Sequence, residues 1–253
     1  MYEGIDAERP GSWAYYEVTT TTKRIKTTTP EPTPSLDPSM PTTPATLPPP
    51  TTPGPTDPPD PLLAIWNNKS VLMIINCNTS YLPYKLSEIF PHMSTIIVWF
   101  SGLEMIIPYA IQSKVINEIN FQDNLIQYLY EDTFSQTPNV RKLNLGSNKI
   151  QNLPEKMFSK LEHLETFIAD RNEIEFLHAA LFEMNPSIIF INLNNNKIKE
   201  IGIDFTKMKS LQKVLGMQNA CGDFYLTKKF DAKMLNKLVH EKCRAIGAEE
   251  IPQ

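Results

Sequence analysis

The sequence predicts an α/β solenoid. Short parallel strands line its concave face, the convex side is irregular or helical, a cap closes each end, and a disordered Thr/Pro-rich region comes first. Three observations predict this. An apolar pattern that fits neither a strand nor a helix recurs every 24 residues, each copy with one asparagine in the same place. The prolines are segregated, fourteen of the 22 lying between Pro30 and Pro61. After the repeats comes a segment of helical apolar spacing, bracketed by two cysteines.

Residues 1–61 read as a disordered stalk. From Thr19 to Pro61 there are almost no apolar side chains to bury, so nothing offsets the entropy of ordering the chain. Proline removes backbone donors and favours extended geometry, and its mixture with Thr and Ser is the composition of O-glycosylated, mucin-like stalks. An unmodified linker is the plainer alternative. Residues 62–92 read as an N-terminal cap with one strand near Val71 to Ile75. A solenoid needs such a cap to cover its open end.

The segment RKLNLGSNKIQNLPEKMF, Arg141 to Phe158, shows the repeating unit. Leu143 and Leu145 have strand spacing, Asn148 sits at the turn that follows, and Ile150, Leu153 and Phe158 fill the return path. A buried turn would leave backbone groups unpaired, and an Asn amide both donates and accepts. Asn124, Asn172 and Asn196 fall on the same lattice, and Asn219 comes 23 after Asn196. Phe134, Phe158 and Phe182 each lie ten residues after a lattice Asn, and Phe205 falls one position short. The apolar stretch STIIVWFSGLEMIIPYAI is interrupted by Glu104 and Pro108 and is too short to cross a bilayer. On the lattice it is a divergent first repeat, with Ile96 and Val98 inward and Ser101 in the Asn slot. About six repeats then cover 93–220. Residues 221–245 form a C-terminal cap, in which Phe230, Met234, Leu235, Leu238 and Val239 recur at helical spacing, and 246–253 is a tail.

Composition narrows the function. A formal net charge of -4 leaves no excess of cations to displace counterions from phosphates, so nucleic acid is not an expected partner. His92, His163, His178 and His240 have no metal-ligand spacing, and no nucleophile elbow or phosphate loop is present. The expectation is a protein that is not an enzyme, with no cofactor, no metal and no membrane span in this chain.

The L-x-x-L-x-L-x-x-N-x-L pattern, over roughly Val71 to Cys243, resembles the extracellular leucine-rich-repeat family. Within it, the chain is similar to insect secreted and cell-surface members such as Toll ectodomains and mosquito leucine-rich immune proteins. The resemblance implies a recognition or adhesion module that binds a protein ligand or receptor on its concave face. It also implies a disulfide between Cys221 and Cys243 that closes the C-terminal cap. Cys77 is then left over, and an odd cysteine suggests a disulfide-linked partner or a thiol, with burial as a small apolar residue equally open.

Strand alternation assigns the concave face. The candidate partner-binding residues are Ile97 and Trp99, then Glu118, Asn120 and Gln122, then Lys142 and Asn144. Thr166, Ile168 and Asp170 follow, then Phe190, Asn192 and Asn194. The centre is rich in amides and the ends are apolar. Either a partner covers those ends or the caps do, and Trp99 belongs either to the face or to the cap core. Asn68 and Asn78 head N-glycosylation sequons, whereas Asn185 is excluded by the proline after it. With the stalk, the sequons point to an extracellular protein, secreted or at the cell surface. The first residues lack the basic start and apolar core of a signal peptide, so this reading expects a leader outside the given sequence. The alternatives are a mucin-like matrix component and an intracellular scaffold.

Overall fold

The computed structural model describes residues 70–82, 86–227 and 231–243, together with the backbone of Thr22–Arg24 and Leu63–Asn67. The remainder of the 1–61 segment, the sequon asparagine Asn68, Phe230 and the 246–253 tail lie outside the described residues.

The strands follow from the apolar lattice. In chain order they are β1 (Thr22–Arg24), β2 (Leu63–Asn67), β3 (Val71–Ile75), β4 (Thr95–Trp99), β5 (Glu118–Asn120), β6 (Lys142–Asn144) and β7 (Thr166–Ile168). Then come β8 (Phe176–Leu177), β9 (Phe190–Asn192), β10 (Glu200–Ile201), β11 (Lys213–Gly216) and β12 (Phe224–Leu226). Ten of them form one sheet in the order β1-β2-β3-β4-β5-β6-β7-β9-β11-β12, with β8 and β10 paired separately on the return side. From β3 to β11 every neighbouring pair is parallel, one turn of coil apart. The solenoid therefore begins one turn before the divergent first repeat: β3 pairs with β4 along all five residues, Leu72 opposite Ile96 and Ile74 opposite Val98.

Alternation sets the core. Ile96, Ile119, Leu143, Phe167, Ile191 and Val214 stack in register, and each is fully buried. Phe134, Phe158, Phe182 and Phe205 form a second buried row on the return side, Phe158 stacked on Phe182 at 5.4 Å between ring centroids. Such stacking adds a little to the burial of area that dominates each aromatic's contribution. The return path itself is mostly turns, with a short helix, α1 (Leu86–Ile89), ahead of β4 and a single 3-10 turn at Phe205–Lys207 ahead of β11.

Antiparallel strands end the coil on both sides. β2 pairs antiparallel with β3, and β1 with β2. Within the segment read as a stalk, Thr22–Arg24 is thus a strand. The outer edge of β2 carries backbone donors and acceptors that a further strand satisfies. At the other end β12 pairs antiparallel with β11. There Gly216 stands in an inward slot, and a Cβ on it would come within 2.1 Å of the Phe224 ring. The ring from β12 therefore fills the space that Leu145 or Leu193 fills in an ordinary repeat.

The helix α2 (Ala232–Lys242) then covers the last turn. Asp231 caps it by accepting from the Lys233 N–H, and Leu235 and Val239 are buried beneath it. Met234, grouped with the apolar face by spacing, is instead 57% exposed. Ahead of the helix, Phe224–Leu226 belong to the sheet. A disulfide joins Cys221 to Cys243, the C-cap of the helix. Among the described residues no helix is long and apolar enough to cross a membrane.

Candidate functional site

The turn after each strand is built the same way. One residue takes a left-handed conformation: Asn76, Phe100, Asp123, Ser147, Arg171, Asn195 and Gln218 in successive turns. The residue after it turns inward. From the second repeat on, that residue is an Asn. Asn148 Nδ2 donates to the carbonyls of Phe121 (2.9 Å), Leu145 (3.0 Å) and Gly146 (3.1 Å), and its Oδ1 accepts from the Ile126 N–H. Asn124, Asn172 and Asn196 repeat the arrangement, and Asn219 does so with fewer bonds at the half-exposed end. Each rung ties its own turn to the one before it.

Two earlier rungs use other residues. Ser101 Oγ donates to Trp99 O at 2.8 Å. Before it stands Cys77, whose N–H donates to Ser101 Oγ and whose thiol donates to Ile75 O at 3.2 Å. Cys77 thus holds a turn position, a role the sequence reading of a disulfide-linked partner did not include. Asn185 is a further buried amide, donating to Phe158 O and Leu161 O on the return side.

The rungs fix the strands, and the strands present the concave face. Ile97, Asn120, Asn144, Ile168, Asn192 and Leu215 lie side by side along its middle. The amides there are turned to their own backbone. Asn120, Asn144 and Asn192 accept from the N–H two residues ahead, at Gln122, Gly146 and Asn194. Asn120 is fully buried and Asn144 is 2% exposed, with its Nδ2 donating to Gln122 Oε1. These two asparagines hold the face in shape and offer little surface. Ile168 is also nearly covered, at 9%.

What the face offers lies around them. Ile97 and Trp99 are half-buried at one end, alternating with the fully buried Ile96 and Val98. Phe190 and Leu215 are half-buried at the other end, and Met217 is exposed. The Lys213 ammonium lies 5.3 Å from the Phe190 ring centroid. Between the ends stand Gln122, Thr166, Asn192 and Asn194, all half-buried, and the pair Glu118 and Lys142, 3.9 Å apart.

Asp170 is the most unusual of these groups. A Cβ on Gly146 would come within 2.8 Å of Asp170 Oδ1, so the missing side chain makes room for the carboxylate. Burial pushes this carboxyl above the ordinary carboxylate range. The Arg171 guanidinium, 3.3 Å from Oδ2, pulls it back, and the charge of Asp123 adds to the rise.

This geometry is matched among known proteins. Residues 114–174 and 138–198 fit the leucine rich repeat family model. Residues 114–198 are leucine-rich repeats. Mouse mimecan is 32% identical over 91 residues, which is 36% of this chain and 29% of mimecan. The chain thus spans less than a third of the curated relative it matches. Leucine-rich-repeat chains of known structure share its fold. One is from the Toll–Spätzle complex of Drosophila (TM-score 0.53, 16% identity, 59% of this chain and 23% of that one). Another is from the LRIM1/APL1C complex (TM-score 0.54, 23% identity, 58% and 28%). A third is the APL1 leucine-rich repeat domain (TM-score 0.53, 23% identity, 56% and 37%).

Proposed function

We propose that this chain is a non-enzymatic extracellular recognition module that binds a protein partner through its concave face. The observation that carries the reading is the division of that face. Ile97 and Trp99 at one end, and Phe190, Leu215 and Met217 at the other, leave apolar surface in reach of solvent. The middle is held by amides bonded to their own backbone. Aromatic anchors of this kind dominate binding energy at protein interfaces. The Cys221–Cys243 disulfide supports an oxidising compartment, as does the similarity to mimecan, an extracellular protein. Toll bound to Spätzle and LRIM1 bound to APL1C are leucine-rich-repeat proteins solved with protein partners, and the same kind of use is proposed here.

The test is a screen of the folded, disulfide-bonded chain against a panel of purified extracellular proteins, followed by substitution. Trp99→Ala is expected to weaken an identified complex by about 2 kcal/mol or more. Lys160→Ala, on the return side, is expected to leave it unchanged. A partner whose affinity ignores Trp99→Ala and Phe190→Ala but falls on return-side substitutions refutes the concave-face reading. A melting temperature lowered as far as a core truncation lowers it, by the equivalent of about 3–5 kcal/mol, returns Trp99 to the core.

A further inference from the structure

Two departures from the repeat pattern fall in the turn that stacks on the Asn78 sequon. The first is Phe100. The left-handed position of the other turns is held by a polar residue: Asn76, Asp123, Ser147, Arg171, Asn195 or Gln218. Here it is held by a bulky aromatic at φ 48°, where a large side chain is strained, and the ring is 54% exposed. The residue gains neither burial nor a relaxed backbone. The second departure is Gly102. Its counterparts one to four turns on are Leu125, Lys149, Glu173 and Lys197, all long side chains. Gly102 has none, at φ +68°.

The exposed Asn78 lies against this bare backbone. A Cβ on Gly102 would stand 3.5 Å from Asn78 Oδ1, and Thr79 N–H donates to Ser101 O in the same turn. Asn78, Thr79 and Ser80 form the acceptor sequon. An aromatic face attracts the weakly positive C–H groups on the apolar side of a pyranose ring, as it attracts other positive edges.

We infer that Asn78 carries an N-linked glycan whose first sugar lies over Gly102 and stacks on Phe100. The amide nitrogen of Asn78 attacks the anomeric carbon of a lipid-pyrophosphate-linked oligosaccharide. The C–N bond forms, the anomeric C–O bond breaks, and the lipid pyrophosphate leaves with that electron pair. The nitrogen gives up one proton, and nothing is oxidised or reduced. The glycan covers an aromatic that would otherwise be open to water, which accounts for both departures together. The inference rests on the extracellular reading above, since the donor is met in the secretory pathway.

The full chain, in an Asn68→Gln background, is expressed behind a secretion leader in cells that add high-mannose glycans. Mass spectrometry of the Asn78 peptide is expected to show the glycan. Melting is then compared for intact protein, for protein trimmed to a single N-acetylglucosamine, and for protein stripped completely. Intact and trimmed forms are expected to melt together, about 2–4 °C above the stripped form. In Phe100→Ala that increment disappears, and in Phe100→Asn the stripped form itself melts higher as strain is relieved. Secreted protein with the Cys221–Cys243 bond formed but Asn78 bare overturns this inference and leaves the extracellular reading standing. Retention in the cell with the cap cysteines reduced overturns both. An increment equal in wild type and Phe100→Ala overturns the stacking.

Discussion

Replacing Asn172 with leucine removes one rung from the middle of the ladder, and the structure indicates what is lost. Asn172 Oδ1 receives the Ile150 N–H at 3.0 Å, and Ile150 is fully buried. Among the described residues that N–H makes no other hydrogen bond, so it becomes an orphan donor. The carbonyls of Leu145 and Ala169 fare better, because Asn148 and Asn196 also donate to them at 3.0 Å and 2.9 Å. The loss is therefore one buried unsatisfied donor plus second bonds to carbonyls that keep a first, about 1–3 kcal/mol. Asn219→Leu is the control. It removes the acceptor of the Ile198 N–H, but Asn219 is half-buried at the end of the ladder, where water replaces it. Its cost is expected to stay below about 1 kcal/mol. Urea unfolding at constant slope measures both, and hydrogen exchange at the Ile150 amide reports the opened bond directly. Equal losses at the two sites, or an unchanged Asn172→Leu curve, would refute the claim that the amides stabilise by satisfying buried backbone.

Three further outcomes are expected. Reduction of Cys221–Cys243, a link across 22 positions, should lower stability by about 3 kcal/mol and open α2 to protease, read by melting and limited digestion. Gly216→Ala should cost about 1–3 kcal/mol by displacing the buried Phe224 ring, with near-wild-type stability in the Gly216→Ala/Phe224→Leu double variant if the clash is the cause. Asp170 has a raised pKa in the folded state, so the fold binds its proton more tightly than the unfolded chain does. Its contribution to stability therefore rises as pH falls from neutral through the raised value, and levels off below the ordinary carboxylate pKa of 3.8. Asp170→Asn should flatten that part of the stability–pH curve, and a wild-type slope in the variant would assign the effect elsewhere.

Much of the fold was legible because its physics is periodic. Leu143, Asn148 and Phe158 recur with their neighbours at one spacing, and a spacing of that length means stacking. Strand alternation was legible too: Ile96 and Val98 are buried while Ile97 and Trp99 are only half so. What was hidden depended on contacts between particular turns. Asn120 and Asn144 are polar residues on a strand's outer face, which reads as surface, yet they bond back to Gln122 and Gly146 and are covered. Cys77 shows no asparagine-like signal, and only its pairing beside Ser101 reveals a turn position. Gly216 looks like a gap in the last repeat until Phe224 is seen to fill it from the next strand. Met234 follows the helical period but faces away, because α2 meets the last coil along Leu235 and Val239.

The distance from the first inward strand residue to its turn residue is the same throughout: Ile96 to Ser101, Leu143 to Asn148 and Val214 to Asn219 are each five positions. The one-residue differences between repeats fall entirely on the return path, as at Phe205. The two sides of this molecule therefore have different freedom to vary. On the concave side a single inserted residue would break a rung and shift the following side chains of that strand to the wrong face, so that side can change only by substitution or by whole turns. The return side absorbs insertions one residue at a time. Lineages of such a chain should diverge in loop length on one side and in chemistry on the other, and new partners would be acquired by rewriting letters on a surface whose spacing stays constant.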